Sequence, residues 1–310
     1  MQKLTLHYKD AKWILDNKYP IDLFHNLKEF QLRECKDDQF PYWFIHRMPN
    51  LENLFLRDSL FEDVFIGGRN AAGSATHQLS QTGTVVQLKK LWLFHMPKLK
   101  IVCRKTLDPV LQMLEYLSIG YCPSLLLLIP SSLSFTHLKT LEIVSCDNLR
   151  LLVVSSTAKG LVQLTSMKIS KCQMIEQVTM EKMKEKNERD QDEIVVFSQL
   201  KTLELLYLPA LEHFCSGGHC VFKFPLLEKL LVKQCPKMKT FSQGVVSTPK
   251  LDFVITEDEG KGYWAGDLNA TIQKLQSFEM ALSIMMRTLL ARQDGGEEKE
   301  KEEDVKALED

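Results

Sequence analysis

The sequence predicts an α/β solenoid, an irregular horseshoe with a parallel β-sheet on its concave face, loops or short helices on its convex face and a C-terminal helix. Three observations predict it. One spelling, L-x-x-L-x-L-x-x-C, recurs along the chain and is complete at Leu138-Lys139-Thr140-Leu141-Glu142-Ile143-Val144-Ser145-Cys146. Its copies are too short to bury their own leucines, so they have to stack on one another. A second pattern, helical and amphipathic, takes over only after Ile255.

Within one copy the apolar positions point one way along a short strand, and Thr140, Glu142 and Val144 point the other, because side chains alternate on a strand. The copies begin at Leu27, Leu51, Leu88, Leu114, Leu138, Leu164, Leu200 and Leu227, at spacings of 24, 37, 26, 24, 26, 36 and 27 residues. Five of these seven spacings lie in the range of about 20 to 29 of a leucine-rich repeat. Degenerate copies flank the set, at Leu4 and Leu6 and from Leu251 to Ile255. The repeats therefore fill residues 1–256, interrupted by insertions at about 60–86 and 176–193.

The insertions differ in composition. The first contains Gly67-Gly68-Arg69-Asn70-Ala71-Ala72-Gly73-Ser74, a loop composition. The second contains the charged run from Glu181 to Asp190, which reads as loop or short exposed helix. Both follow a strand, so both are expected to leave on the convex or lateral side, at small entropic cost.

After the repeats, residues 257–270 read as a linker and residues 271–293 as an amphipathic helix. Asn269 is the expected N-cap. Ile272, Leu275, Phe278, Leu282, Met285 and Leu289 form the apolar stripe. A solenoid needs its open hydrophobic end covered, and the helix is placed to cap it. A partner-binding or membrane-surface helix is the alternative, but the basic residues are few. Residues 294–310 carry nine acidic and three basic side chains, a net −6, and read as a disordered acidic tail.

Composition excludes several function classes. A formal net charge of −1 gives no general attraction for nucleic acid. No run of 18 apolar residues is present to span a bilayer. Met1 to Asp10 lack a signal-peptide core, and a cytoplasmic protein is expected. Cys35, Cys122, Cys146, Cys172 and Cys235 share one repeat position. Reduced thiols in a small buried slot are expected there, since stacked repeats hold equivalent positions slightly too far apart for a disulfide.

Chemistry-bearing clusters are sparse. His213, Cys215, His219 and Cys220 fall within eight residues, but their spacing fits no common zinc pattern. No metal, cofactor or catalytic set is expected, and so no enzyme. Asn269-Ala270-Thr271 is a glycosylation sequon by letters only.

The concave positions are more informative. Phe55, Trp92, Phe94 and Tyr116 fall in three successive copies, with Tyr121 just beyond and Arg57 beside them. Aromatic and arginine side chains dominate interface hot spots, so these six residues are the candidate partner-binding surface. The competing reading is that they pack beneath the insertion at 60–86.

Several segments carry a family resemblance. These are Cys122-Pro123-Ser124-Leu125, Cys235-Pro236-Lys237-Met238, Leu208-Pro209-Ala210-Leu211 and Phe224-Pro225-Leu226-Leu227-Glu228-Lys229-Leu230. They resemble the leucine-rich-repeat region of plant intracellular disease-resistance proteins of the coiled-coil, nucleotide-binding class. The run from Phe241 to Leu251, followed by Asp267 to Leu275, is similar to the way that family ends its last repeat. The resemblance covers about residues 20–275. It implies a sensor and autoinhibitory module of an immune receptor, acting in defence against pathogens. Its partner would be a pathogen effector, a guarded host protein or the receptor's own nucleotide-binding region.

No G-x-x-x-x-G-K-[ST] phosphate loop occurs, so nucleotide binding is not carried over. On this reading the chain is a C-terminal piece of a longer receptor or a truncated product that kept only the sensor. The alternative is a substrate-recognition subunit of an F-box type ubiquitin ligase, whose repeats also carry Cys after the strand. A secreted receptor ectodomain is disfavoured, because its N-x-L-x-G-x-I-P continuation is missing.

Overall fold

Each copy of the repeat places one five-residue strand beside the next, and every such pairing is parallel and in register. The computed structural model describes residues 2–10, 14, 21–45, 47–65, 86–103, 109–128, 135–180, 193–216, 220–256, 262–278, 281 and 285–286. The centres of both insertions, 66–85 and 181–192, and the acidic tail lie outside these residues.

The main sheet runs through Lys3–His7, Glu29–Arg33, Asn53–Arg57, Lys90–Phe94, Tyr116–Gly120, Thr140–Val144, Ser166–Ser170, Thr202–Leu206, Lys229–Lys233 and Val254–Ile255. Gly262–Tyr263 closes it with one antiparallel pairing. Register follows the repeat letters: Leu117, Leu141, Met167, Leu203 and Leu230 stand in one row. These side chains are wholly buried, while their strand neighbours Thr140, Glu142 and Val144 are only partly covered.

Shorter ladders run along the return limb of the coils, where the repeat spelling marks no strand. Leu151–Val154, Gln177–Met180 and His213–Cys215 form one, and Glu193–Val196, Cys220–Lys223 and Val246–Ser247 another. Asp63–Phe65 pairs with Ile101–Cys103. The described ends of both insertions, at 63–65, 177–180 and 193–196, belong to these ladders. Helix on this limb is brief among the described residues, as at Tyr42–Ile45 and Ser155–Ala158.

The bend after each strand has a backbone signature. Glu34, Asp58, His95, Tyr121, Ser145, Lys171, Tyr207 and Gln234 all adopt a positive φ of 51–59°. Each is the residue just before the buried slot. For a side-chain-bearing residue this conformation costs about 1 to 2 kcal/mol. It persists because the backbone remains bonded: Tyr121 N donates to Val144 O at 2.8 Å and Ser145 N to Ser170 O at 2.9 Å.

The slot explains the recurrent cysteine. The thiols of Cys122, Cys146, Cys172 and Cys235 turn back on the strand they follow, with Cys122 Sγ 3.3 Å from Gly120 O and Cys172 Sγ 3.4 Å from Ser170 O. The sulfur also receives a donor from the preceding coil, Cys146 N to Cys172 Sγ at 3.4 Å. Ser59 does the same with oxygen, donating to Arg57 O and accepting from Cys35 N. Cys35, Cys122, Cys146, Cys172, Cys215, Cys220 and Cys235 are buried and carry thiols.

Burial pushes the Cys172 thiol up to about 12, with Cys146 adding to the effect. The bond with Cys122, and then burial, raise Cys146 as well. This has a consequence at high pH. An unfolded chain ionises Cys172 near its ordinary value of 9.0, while the folded chain keeps the proton until about pH 12. The unfolded state therefore holds fewer protons across that window, and stability falls as pH rises, by about 1.4 kcal/mol per pH unit for one thiol. Melting temperature is expected to drop between pH 9 and 12, and a Cys172→Ser variant to lose part of that slope. Parallel curves for the two proteins would contradict it.

The last repeat is closed by helical backbone over residues 268–278, with 281, 285 and 286 also helical. The helix starts at Leu268, earlier than the expected 271, and its cap is Asp267 rather than Asn269. Asp267 Oδ1 accepts Ala270 N–H at 2.8 Å, as a capping carboxylate does. Asn269 is instead spent on the solenoid, its Oδ1 accepting Ser242 N–H at 3.0 Å. Leu268 and Ile272 are buried against the core and Leu275 is partly covered. The expected stripe does not stay buried along its length, since Phe278 and Met285 are exposed. Phe278 meets Tyr263 edge to face at 6.0 Å.

Candidate functional site

The concave face is built from the strand residues that do not enter the core, so neighbouring strands align them in columns. Phe55 stands directly opposite Trp92, and their rings stack at 4.0 Å, 7° from parallel. Tyr116 begins the next strand and meets Trp92 diagonally at 5.0 Å. Phe94, two residues after Trp92, faces Gly120 across the ladder. A Cβ at position 120 would come within 2.6 Å of the Phe94 ring, so glycine lets that ring lie down on the strand.

Tyr121 follows in the left-handed bend conformation and is 44% exposed. Its ring stacks on His95 at 4.6 Å and approaches Phe94 at 6.5 Å. Five of the six sequence-predicted residues thus form two linked aromatic groups, Phe55–Trp92–Tyr116 and Phe94–Tyr121. Arg57 is not stacked on them: its Nε is 3.0 Å from Asp58 Oδ2, on its own bend. It borders the patch as part of an exposed ion pair.

The patch has an acidic margin that the sequence did not single out. Glu142 Oε2 accepts the Tyr116 hydroxyl at 2.6 Å and the Ser118 hydroxyl at 3.2 Å. Burial first, and then the bond to Glu142, push the Tyr116 phenol above its usual range, so it remains a donor. Only register places these three together: Ser118 pairs with Glu142 across the ladder, and Tyr116 sits two residues before Ser118.

Beyond Glu142 the face is charged and internally paired. Lys168 and Lys229 each lie 3.7 Å from Glu204. On the other side, Glu29 takes Lys3 at 2.6 Å and Gln31 at 3.0 Å, and Arg33 donates to Gln31. The aromatic section is therefore an apolar island between two polar stretches of one sheet.

His213 Nδ1 lies 3.0 Å from Thr240 Oγ1, and Cys215 and Cys220 are buried, while His219 lies outside the described residues. Among the described residues no group of three or more His, Cys, Asp or Glu side chains is placed to hold a metal ion. No described helix is long and apolar enough to cross a membrane.

No curated protein matches the chain. The model of one family, described as plant disease resistance protein RPS2-like leucine-rich repeats, matches residues 1–134 and 129–247. The chain, with its parallel solenoid of aligned leucine rows, belongs to this family of plant disease-resistance leucine-rich repeats.

Proposed function

We propose that this repeat region is a protein-recognition module of an intracellular plant immune receptor, acting in the cytoplasm in defence against pathogens. Its ligand is a pathogen effector, a guarded host protein or the receptor's nucleotide-binding region, toward which it acts as sensor and restraint. The observation that carries the reading is the cluster of Phe55, Trp92 and Tyr116 on the concave face of the sheet, outside the buried leucine core. Half-exposed aromatics gathered on one rigid surface are the usual anchors of protein interfaces. The family match favours an interaction module over catalysis, and reduced buried thiols fit a reducing compartment.

The test is a variant carrying Trp92→Ala and Phe94→Ala together, compared with the parent as bait in plant cell extract. Retained proteins are identified by mass spectrometry and their affinity is then measured with purified components. The variant is expected to lose a specific host or receptor partner, a loss of about 2 kcal/mol or more, with little change in melting temperature. A lowered melting temperature with unchanged affinity would show that the rings serve packing alone. Retention of ubiquitin-ligase adaptors would replace this reading with that of a ligase substrate-recognition subunit.

A further inference from the structure

The acidic margin of the aromatic island gives the partner a chemistry. Glu142 is a partly covered carboxylate held from one side only. Oε2 takes both hydroxyls, of Tyr116 and Ser118, while Oε1 takes no hydrogen bond and neither oxygen an ion pair among the described residues. Its ladder neighbour Lys168 has its ammonium 3.7 Å from Glu204 instead. A carboxylate drawn partly out of water without a counter-charge is an incomplete arrangement, and a cation brought to it is held more strongly than one in solution.

The hydroxyl that fixes this carboxylate belongs to one of the stacked rings. Tyr116 reaches Glu142 through its oxygen at 2.6 Å, and its ring centre lies 5.0 Å from that of Trp92, tilted by 40°. A π-surface made of Trp, Tyr and Phe is therefore continuous with an unpaired anion. Each half recognises a cation, the rings through their negative faces within about 6 Å and the carboxylate by charge-assisted hydrogen bonding.

We propose that this site accepts an arginine side chain of the partner protein, the guanidinium lying over Trp92 and Tyr116 and donating to Glu142. Arginine fits better than lysine because its planar group stacks on rings and presents parallel donors, whereas an ammonium is a compact, strongly hydrated charge. The positive charges around the site do not fill it. Arg57 is engaged by Asp58, Lys168 by Glu204, and Lys90 stands exposed on the strand beside Tyr116. This deepens the recognition reading above and rests on it.

The test uses the full chain and two blocked tripeptides, Gly-Arg-Gly and Gly-citrulline-Gly, which differ in charge but hardly in shape. Binding is read from the indole N–H resonance of Trp92, assigned by its loss in Trp92→Phe. The arginine peptide is expected to shift that resonance saturably and to bind about tenfold more tightly than the citrulline peptide. Glu142→Gln, which keeps an oxygen for Tyr116 to bond, is expected to bring arginine binding down to the citrulline level. Equal binding of the two peptides by the parent chain would overturn the proposal, as would an unchanged preference in Glu142→Gln. A Gly-Glu-Gly peptide that shifts Trp92 more strongly than the arginine peptide would overturn it too, assigning the site to the neighbouring lysines. If those results appear while Trp92→Ala still abolishes partner binding, the arginine assignment falls and the recognition surface stands.

Discussion

Replacing Phe214 by alanine is expected to cost about 3 to 5 kcal/mol. Phe214 is wholly buried and touches four other phenylalanines. Its ring stacks on Phe241 at 4.8 Å and meets Phe222 and Phe224 edge to face at 5.7 Å and Phe197 at 6.1 Å. Phe197 and Phe214 belong to one coil and Phe222, Phe224 and Phe241 to the next, so the cavity left by truncation would loosen both at once. Because each coil of a solenoid is supported by its neighbours, the loss should open the C-terminal coils first. Urea unfolding would show a lower midpoint, and hydrogen exchange should accelerate in residues 193–256 before it does in residues 86–128. An unchanged midpoint would show that the phenylalanine cluster does not carry this end of the molecule.

Leu141→Ala and Leu203→Ala are each expected to lose about 2 to 5 kcal/mol. Leu141 lies between Leu117 and Met167 in its row, and Leu203 between Met167 and Leu230. Both side chains are fully enclosed, so the methyl groups removed leave a gap with coils on either side. Leu6 provides the comparison, since it has a row neighbour, Leu32, on one side only among the described residues. Leu6→Ala should cost less than either. Midpoints from urea unfolding would order the three variants, and equal values for Leu141→Ala and the parent would contradict the register.

The two sets of residues differ in how they show themselves in the sequence. The leucine rows were legible because one spelling repeats, and the copies place Leu, then Leu, Phe or Met, then an aliphatic residue at the same offsets. The phenylalanine cluster was not: Phe197 and Phe224 share a position three residues before their repeats' first leucines, and Phe214 and Phe241 one fourteen residues after, but these lie outside the strand spelling and the rings meet only when the return limbs stack. The limb strands escaped for a related reason. Gln177–Met180 and Cys220–Lys223 are four residues each, too short for alternation to separate them from loop.

The bend residues were hidden by their variety. Eight positions share a left-handed backbone, yet they are Glu, Asp, His, Tyr, Ser, Lys, Tyr and Gln, with no glycine to mark them. The buried slot that follows and the ladder bond that continues through the bend impose the conformation, whatever the side chain. Gly120 was a local signal near the site, a glycine ending a strand that marks close approach, here of Phe94.

What the sequence by itself determined is the architecture and the identity of the concave residues, including Phe55, Trp92, Phe94, Tyr116 and Tyr121. A period of two along the strand and about 25 residues between strands suffices to assign each side chain to a face and a column. What only the tertiary structure decided is which of those residues touch. The Phe55–Trp92 stack, the turn of Arg57 away to Asp58 and the hold of Tyr116 and Ser118 on Glu142 depend on ring tilts and rotamers set across three or four adjacent strands. A repeat fixes which residues share a face, because backbone hydrogen bonds are the same in every coil. It cannot fix pairwise contacts, because those depend on the individual side chains that successive coils bring within reach of one another.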